Sequence, residues 1–165
     1  MLVIFSCTGS QEREVGNSDV ETTVSDKVIP FNKMTLRTMH GKKIRPGDSG
    51  KLQFVNFWAT WCKPCIEEMP SILRLKDKVG DKVEFYLLTY EEPERINNFE
   101  KKMGTRLPLY SYDEGTLPAS MQETVIPYTF ILHEGNILFK KVGSERWDSE
   151  EMVAKILALT TKNEN

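Results

Sequence analysis

Apolar positions in this chain fall into short continuous runs that alternate with amphipathic stretches. "LQFVNFW" is apolar and aromatic over the length of a strand, the pattern of a strand covered on both faces, and "KVEFYLLTYE" is a second such run. Between them, from Cys62 to about Val79, Ile66, Met69, Ile72 or Leu73, and Val79 recur at helical spacing, with Glu67, Arg74, Lys76 and Lys78 on the other side. Pro70 falls inside that helix and is expected to kink it. "EPERINNFEKKMG" predicts a helix with Pro93 near its start and Gly104 at its end. "RLPLYSY" reads as a short strand and "GTLPASMQE" as a loop with a short helix. "PYTFILHEGNILFKKVG" predicts a hairpin that turns at Glu134-Gly135. "WDSEEMVAKILAL" predicts a closing amphipathic helix, capped by Asp148 or Ser149 and acidic in its first turn. Ahead of all these, "FNKMTLRTMHGKKIR" carries a Gly-Lys turn signal between two short strands, and "PGDSGK" is a loop.

Strands alternating with helices and ending in an antiparallel hairpin predict an α/β fold: a mixed central sheet, helices on both faces, and an N-terminal β-hairpin. The ordered domain is expected over residues 28–162, with 163–165 a tail. A chain of 165 residues is long enough for one domain with a real core. It is 39% hydrophobic and 28% charged, with a net charge of −2 and the charges interspersed, which points away from a nucleic-acid partner. No run approaches the roughly 20 apolar residues of a membrane span.

The first 27 residues read differently. "MLVIFSCTGS" is a short apolar run ending in Ser6-Cys7, and "TGSQEREVGNSDVETTVSDK" after it is polar and without periodicity. An apolar segment and a small residue ahead of a cysteine resemble the end of a bacterial lipoprotein signal, with Cys7 as lipid anchor and the polar stretch as a flexible tether. A full signal needs a positive segment and about 7–15 apolar residues, whereas six residues precede Cys7. Under this reading the natural start lies upstream; the alternative is a chance match in a terminus with a free cysteine.

The chemistry concentrates in "NFWATWCKPCIEEMP", which holds two of the three cysteines. A CxxC pair serves as half a zinc site, a haem anchor, a structural disulfide or a redox centre. Zinc needs further ligands, and the chain has no second CxxC and only His40 and His133, far apart and at predicted turns. Covalent haem attachment needs histidine after the second cysteine, where this chain has Ile66. A disulfide spanning two residues closes too short a loop to stabilise much. The redox reading agrees with position, because Cys62 falls where a buried strand gives way to a helix. Unpaired N–H groups and the helix dipole there favour a thiolate. Pro64 is tolerated in a first turn, and Cys65, one turn in, is expected to be more enclosed and to act second.

"FVNFWATWCKPC", the later "TVIPYTFIL" and the order of elements resemble a thioredoxin-like fold. "GKLQFVNFWATWCKPCIEEMP", the hairpin ahead of it and the glutamate three residues past the second cysteine are similar to the ResA/TlpA-like extracytoplasmic thiol–disulfide oxidoreductases. The likeness covers about Ile29 to Leu159. It implies that Cys62 is an exposed nucleophile and Cys65 the resolving thiol. It implies that Trp61 lies beside the disulfide, with Lys63 and Pro64 part of the substrate-facing surface. It makes Pro127 a cis-proline facing the pair, a geometry that X-Pro bonds tolerate, and leaves the backbone of Ile126 to pair with an extended substrate peptide. Trp58 is expected in the core. Tyr128 departs from the small residue that often follows this proline and is expected to reshape the docking groove. Thioredoxins proper carry a buried aspartate six residues before the first cysteine, where this chain has Asn56. Glu68, on the same helix face as Cys65, matches the buried acid of the ResA-like group as a proton relay, whereas Glu67 is expected to be a solvated charge.

The resemblance implies a cell-envelope enzyme that reduces disulfides of partner proteins, in a group whose members often keep apocytochrome c cysteines reduced. No phosphate-binding glycine loop, metal cluster or dinucleotide fingerprint appears in the sequence, so no bound cofactor or metal is expected. Electrons are expected from a partner protein such as a membrane thiol carrier. Oxidase, isomerase or peroxidase activity, and a non-enzymatic redox-sensing domain, are the alternatives.

Overall fold

The computed structural model describes residues 31–47 and 49–162. The expectations for 1–27, Cys7 included, and for 163–165 lie outside these residues. In chain order the elements are β1 (Leu36–Thr38), β2 (Lys43–Ile44), β3 (Leu52–Phe57), α1 (Lys63–Val79), β4 (Val83–Thr89), α2 (Pro93–Met103), β5 (Leu109–Tyr112), β6 (Tyr128–His133), β7 (Asn136–Val142) and α3 (Glu150–Lys162). The strands form one mixed sheet in the order β2-β1-β5-β4-β3-β6-β7. β3 is parallel to β4 and antiparallel to β6, so it is central, and all six of its residues are buried. That burial is the physical origin of the unbroken apolar run. The N-terminal hairpin forms as β1 and β2, and the β6–β7 turn places Glu134 and Gly135 at φ 50° and 80°, as a tight hairpin turn requires.

The helices are distributed differently from expectation. Leu52, Phe54 and Trp58 share one cluster with Met69, Ile72 and Leu75 of α1, Ile96 of α2 and Ile156 of α3. Val55 and Phe57 face the other way, toward Phe31, Met34, Leu117 and Met121. The three helices of the described residues therefore pack on one face. The chain steps from β3 to β4 to β5 in one direction across the sheet, and right-handed crossovers then place α1 and α2 on the same side. The opposite face is closed by short 3-10 turns such as Phe31–Lys33 and Ala119–Met121, the latter standing where a short helix is predicted.

α1 runs unbroken through Pro70. Pro70 is exposed, so its ring lies on the side of α1 turned away from the core. The buried face of α1 comprises Cys65, Glu68, Met69, Ser71, Ile72, Leu75 and Val79. Ile66, predicted on that face, is only half-buried, because the stripe is centred on Cys65 one position earlier. At α3, Ser149 is the cap, its Oγ accepting the Met152 N–H at 3.2 Å, while Asp148 binds Arg74 at 2.7 Å. Trp147 precedes the helix, is fully buried and meets Phe54 edge-on at 4.8 Å.

Candidate active site

β3 delivers the chain to Trp58, whose N–H bonds the Leu88 carbonyl of β4 at 3.0 Å, and a short turn then leads into α1. Trp58 is core, as predicted. Cys62 is the N-cap of α1, with extended backbone, and its Sγ accepts the Cys65 N–H at 3.3 Å. A sulfur at this position faces the unpaired N–H groups and positive end of the helix, which favours its thiolate. Cys62 and Cys65 are joined as a disulfide, their Cα atoms 5.3 Å apart.

The order of burial is as expected, but Cys62 is not exposed: it is 4% accessible against 1% for Cys65. In the disulfide form it belongs to the core cluster with Trp58 and Ala59, against which Ile126 packs. Trp61 beside it is 60% accessible. Lys63 and Pro64 are exposed, and Lys63 pairs with Glu67 one turn on at 3.6 Å, so Glu67 is the predicted solvated charge.

The Ile126-Pro127 bond is cis. Pro127 leads into β6, whose first residue Tyr128 pairs with Phe57, so it lies at the sheet end where β3 gives way to the cysteines. The Pro127 carbonyl accepts the Gly143 N–H at 2.8 Å. Tyr128 does not reshape a groove here. It is buried and stacks on Phe57 at 4.3 Å, because strand alternation turns it to the face away from α1.

Glu68 reaches from α1 onto the middle of the sheet and is 5% accessible. Its Oε1 accepts the Asn56 amide at 2.9 Å; its Oε2 accepts the Glu145 N–H at 3.0 Å and the Trp147 indole N–H at 3.1 Å. Asn56 is held in turn by the Thr129 hydroxyl at 2.9 Å. Burial pushes the Glu68 carboxyl above the usual range, and the three donors oppose that rise. At this position sequence reasoning saw in Asn56 only a missing acid, and it did not find the parts played by Trp147, Glu145 and Thr129.

A second buried carboxylate was also illegible. Glu91, after β4, accepts the Thr60 N–H at 2.7 Å and hydroxyl at 2.8 Å and pairs with Arg95 at 2.8 Å. It thereby fixes the residue two positions before Cys62. "EEPE" reads locally as an acidic helix start, and nothing in it signals burial. His133 lies at the far end of β6 from Pro127, against the Gly50 carbonyl at 3.2 Å, and His40 is in the exposed β1–β2 turn.

The sequence pattern of the AhpC/TSA family matches residues 24–140. The thiol-disulfide oxidoreductase ResA of one Bacillus cereus strain is 36% identical over 112 residues, 65% of this chain and 64% of that protein. The chain thus spans just under two thirds of that relative's length. ResA of a second Bacillus cereus strain is 32% identical over 123 residues, 72% of this chain and 71% of its own. A solved structure described as a putative thiol:disulfide interchange protein DsbE from Chlorobium tepidum matches with a TM-score of 0.68 at 20% identity, covering 82% of this chain and 98% of that one. At that identity the likeness establishes the fold, which is thioredoxin-like.

Proposed function

The chain belongs to the AhpC/TSA family, and on that footing we propose that it is a thiol–disulfide oxidoreductase of the ResA type that reduces disulfides in partner proteins of the cell envelope. The observation that carries this reading is the Cys62–Cys65 disulfide at the start of α1, with the buried Glu68 three residues further along the same face. In the reduced enzyme the Cys62 thiolate attacks one sulfur of a substrate disulfide. A Cys62–substrate bond forms, the substrate S–S bond breaks, and the departing thiolate takes a proton from water. Cys65 passes its proton to Glu68 and attacks Cys62 Sγ; the enzyme disulfide closes, the Cys62–substrate bond breaks, and the second substrate sulfur leaves as a thiolate that takes a proton from water. Two electrons have then moved from the enzyme dithiol to the substrate.

Regeneration reverses these steps with a membrane thiol carrier as reductant, and Glu68 returns its proton to Cys65. No bound cofactor or metal enters this scheme. Trp61, Lys63, Pro64, Ile126 and Pro127 form the surface on which an extended peptide docks. Apocytochrome c, with its paired cysteines, is the substrate class that the ResA likeness favours.

Turnover of insulin disulfides and of an oxidised apocytochrome peptide tests the activity. The Cys62–Cys65 reduction potential tests its direction, since 30 mV corresponds to about 1.4 kcal/mol for this couple. A potential near about −120 mV, where strong oxidants lie, would replace the reductase reading with an oxidase. Absence of turnover on both substrates would leave only a redox-sensing domain. Cys7 as a lipid anchor is part of the same proposal: expressed from its natural start, the protein is expected in the membrane fraction, and Cys7→Ala is expected to release it. Recovery of the parent protein wholly from the cytosol would overturn both the anchor and the envelope location.

A further inference from the structure

Among the described residues, every neighbour that bonds the Glu68 carboxylate donates to it. Asn56 comes from β3, and Glu145 and Trp147 come from the connection between β7 and α3, 77 and 79 residues along the chain from Glu68. The same connection closes a groove of about 450 Å3, lined by Pro64, Glu68, Ser71, Arg74, Glu145 and Arg146, that opens to solvent. Ser71 ties this connection to α1, its Oγ accepting the Trp147 N–H at 3.2 Å while it donates to the Glu68 carbonyl at 2.7 Å.

We propose that the β7–α3 connection is a third part of the redox site, in which the Glu145 N–H and the Trp147 indole act with Asn56 as positioning groups that hold the Glu68 carboxylate for proton exchange with Cys65. The inference rests on the relay reading of Glu68 given above. Its physical content is a count of donors and acceptors. An ionised Glu68 has three donors to receive its charge. A protonated Glu68 finds no acceptor among Asn56, Glu145 and Trp147 as they are placed, so its O–H is left for the Cys65 sulfur or for water in the groove. The cage therefore supports the ionised acid and directs the proton of the neutral one.

Among the described residues, the charged and titratable groups around it are few. On α1 they are Cys65, Glu67 and Arg74; on the β7–α3 connection they are the Glu145 carboxylate, paired with Lys141 at 2.9 Å, Arg146, and Asp148, which holds Arg74. From the sheet, Asn56 and Thr129 face Glu68 and carry no charge.

The experiment follows the Glu68 carboxyl by 13C NMR in the oxidised full chain of the parent, Trp147→Phe and Asn56→Ala, alongside insulin reduction between pH 5 and 9. Each substitution removes one donor from the charged form, so each is expected to raise the Glu68 midpoint by roughly one pH unit. The limb of the exchange profile governed by Glu68 is expected to move with it. In the parent, the Trp147 indole N–H resonance is expected to titrate with the Glu68 midpoint, a reading that needs no substitution. A residue that serves packing alone would lower the melting temperature and leave midpoint and limb in place. If both folded variants keep the parent midpoint, or the indole resonance ignores the Glu68 titration, the inference is overturned while the relay stands. If the midpoints move but Glu68→Gln shares the parent's exchange profile, the relay itself is overturned, and the proton-transfer role of the cage with it.

Discussion

Cys62→Ser is expected to abolish disulfide exchange, and Cys65→Ser to accumulate stable mixed disulfides with substrate proteins. The asymmetry follows from position in α1. Cys62 caps the helix, where its sulfur already accepts the Cys65 N–H at 3.3 Å and would do so more strongly as a thiolate. Cys65 lies within the first turn on the buried face, where a thiolate is less easily solvated and an incoming disulfide has less access. An enzyme lacking Cys62 has lost its attacking sulfur, so no covalent complex forms. An enzyme lacking Cys65 attacks normally but cannot release the complex. Non-reducing electrophoresis of both variants with insulin or an apocytochrome peptide reads the difference. Adducts on the Cys62 variant and none on the Cys65 variant would reverse the two roles.

Glu68→Gln is expected to slow exchange by about 10²-fold, the lower end of the range for general acid–base help, because water in the adjoining groove partly substitutes. The fold is expected to survive. A glutamine oxygen placed at Oε2 keeps the Glu145 and Trp147 bonds, so two of the three contacts that tie this side chain to the fold remain. Glu67→Gln is the control, since Glu67 is exposed and paired with the exposed Lys63. Exchange rates from pH 5 to 9 for the three proteins decide the matter: superimposable profiles would make Glu68 a structural acid.

Stability gives an independent reading of the same group. The folded protein holds the Glu68 proton to a higher pH than the unfolded chain, in which the carboxyl titrates near 4.5. Across the window from that value up to the raised one the native state binds more protons, so stability falls as pH rises. Glu68→Gln is expected to remove that decline, measured as denaturation midpoints on the acid side of neutrality.

The strand Leu52–Phe57, the helix that starts at Cys62 and the β6–β7 hairpin were legible because each is written in a few adjacent residues, and the cis bond before Pro127 was expected from the family resemblance. An unbroken apolar run, a CxxC behind it and a Glu-Gly turn carry their meaning locally. The placement of Glu68 on the same buried helix face as Cys65 followed from helical spacing alone. What the chain did not disclose is which face of each strand meets which partner. Alternation along β6 shows that Tyr128 and Thr129 point to opposite sides, but only the assembled sheet puts Thr129 against Asn56 and Tyr128 against Phe57. The gathering of all three helices on one face depended likewise on the direction in which β3, β4 and β5 were laid down. Local signals, with the family resemblance they carry, were thus enough to point to the cysteine pair, the acid three residues on and the fold that holds them. What surrounds the acid emerges only when the chain has folded, because the groups that receive its charge lie 12, 77 and 79 residues away and carry no local signal of the contact.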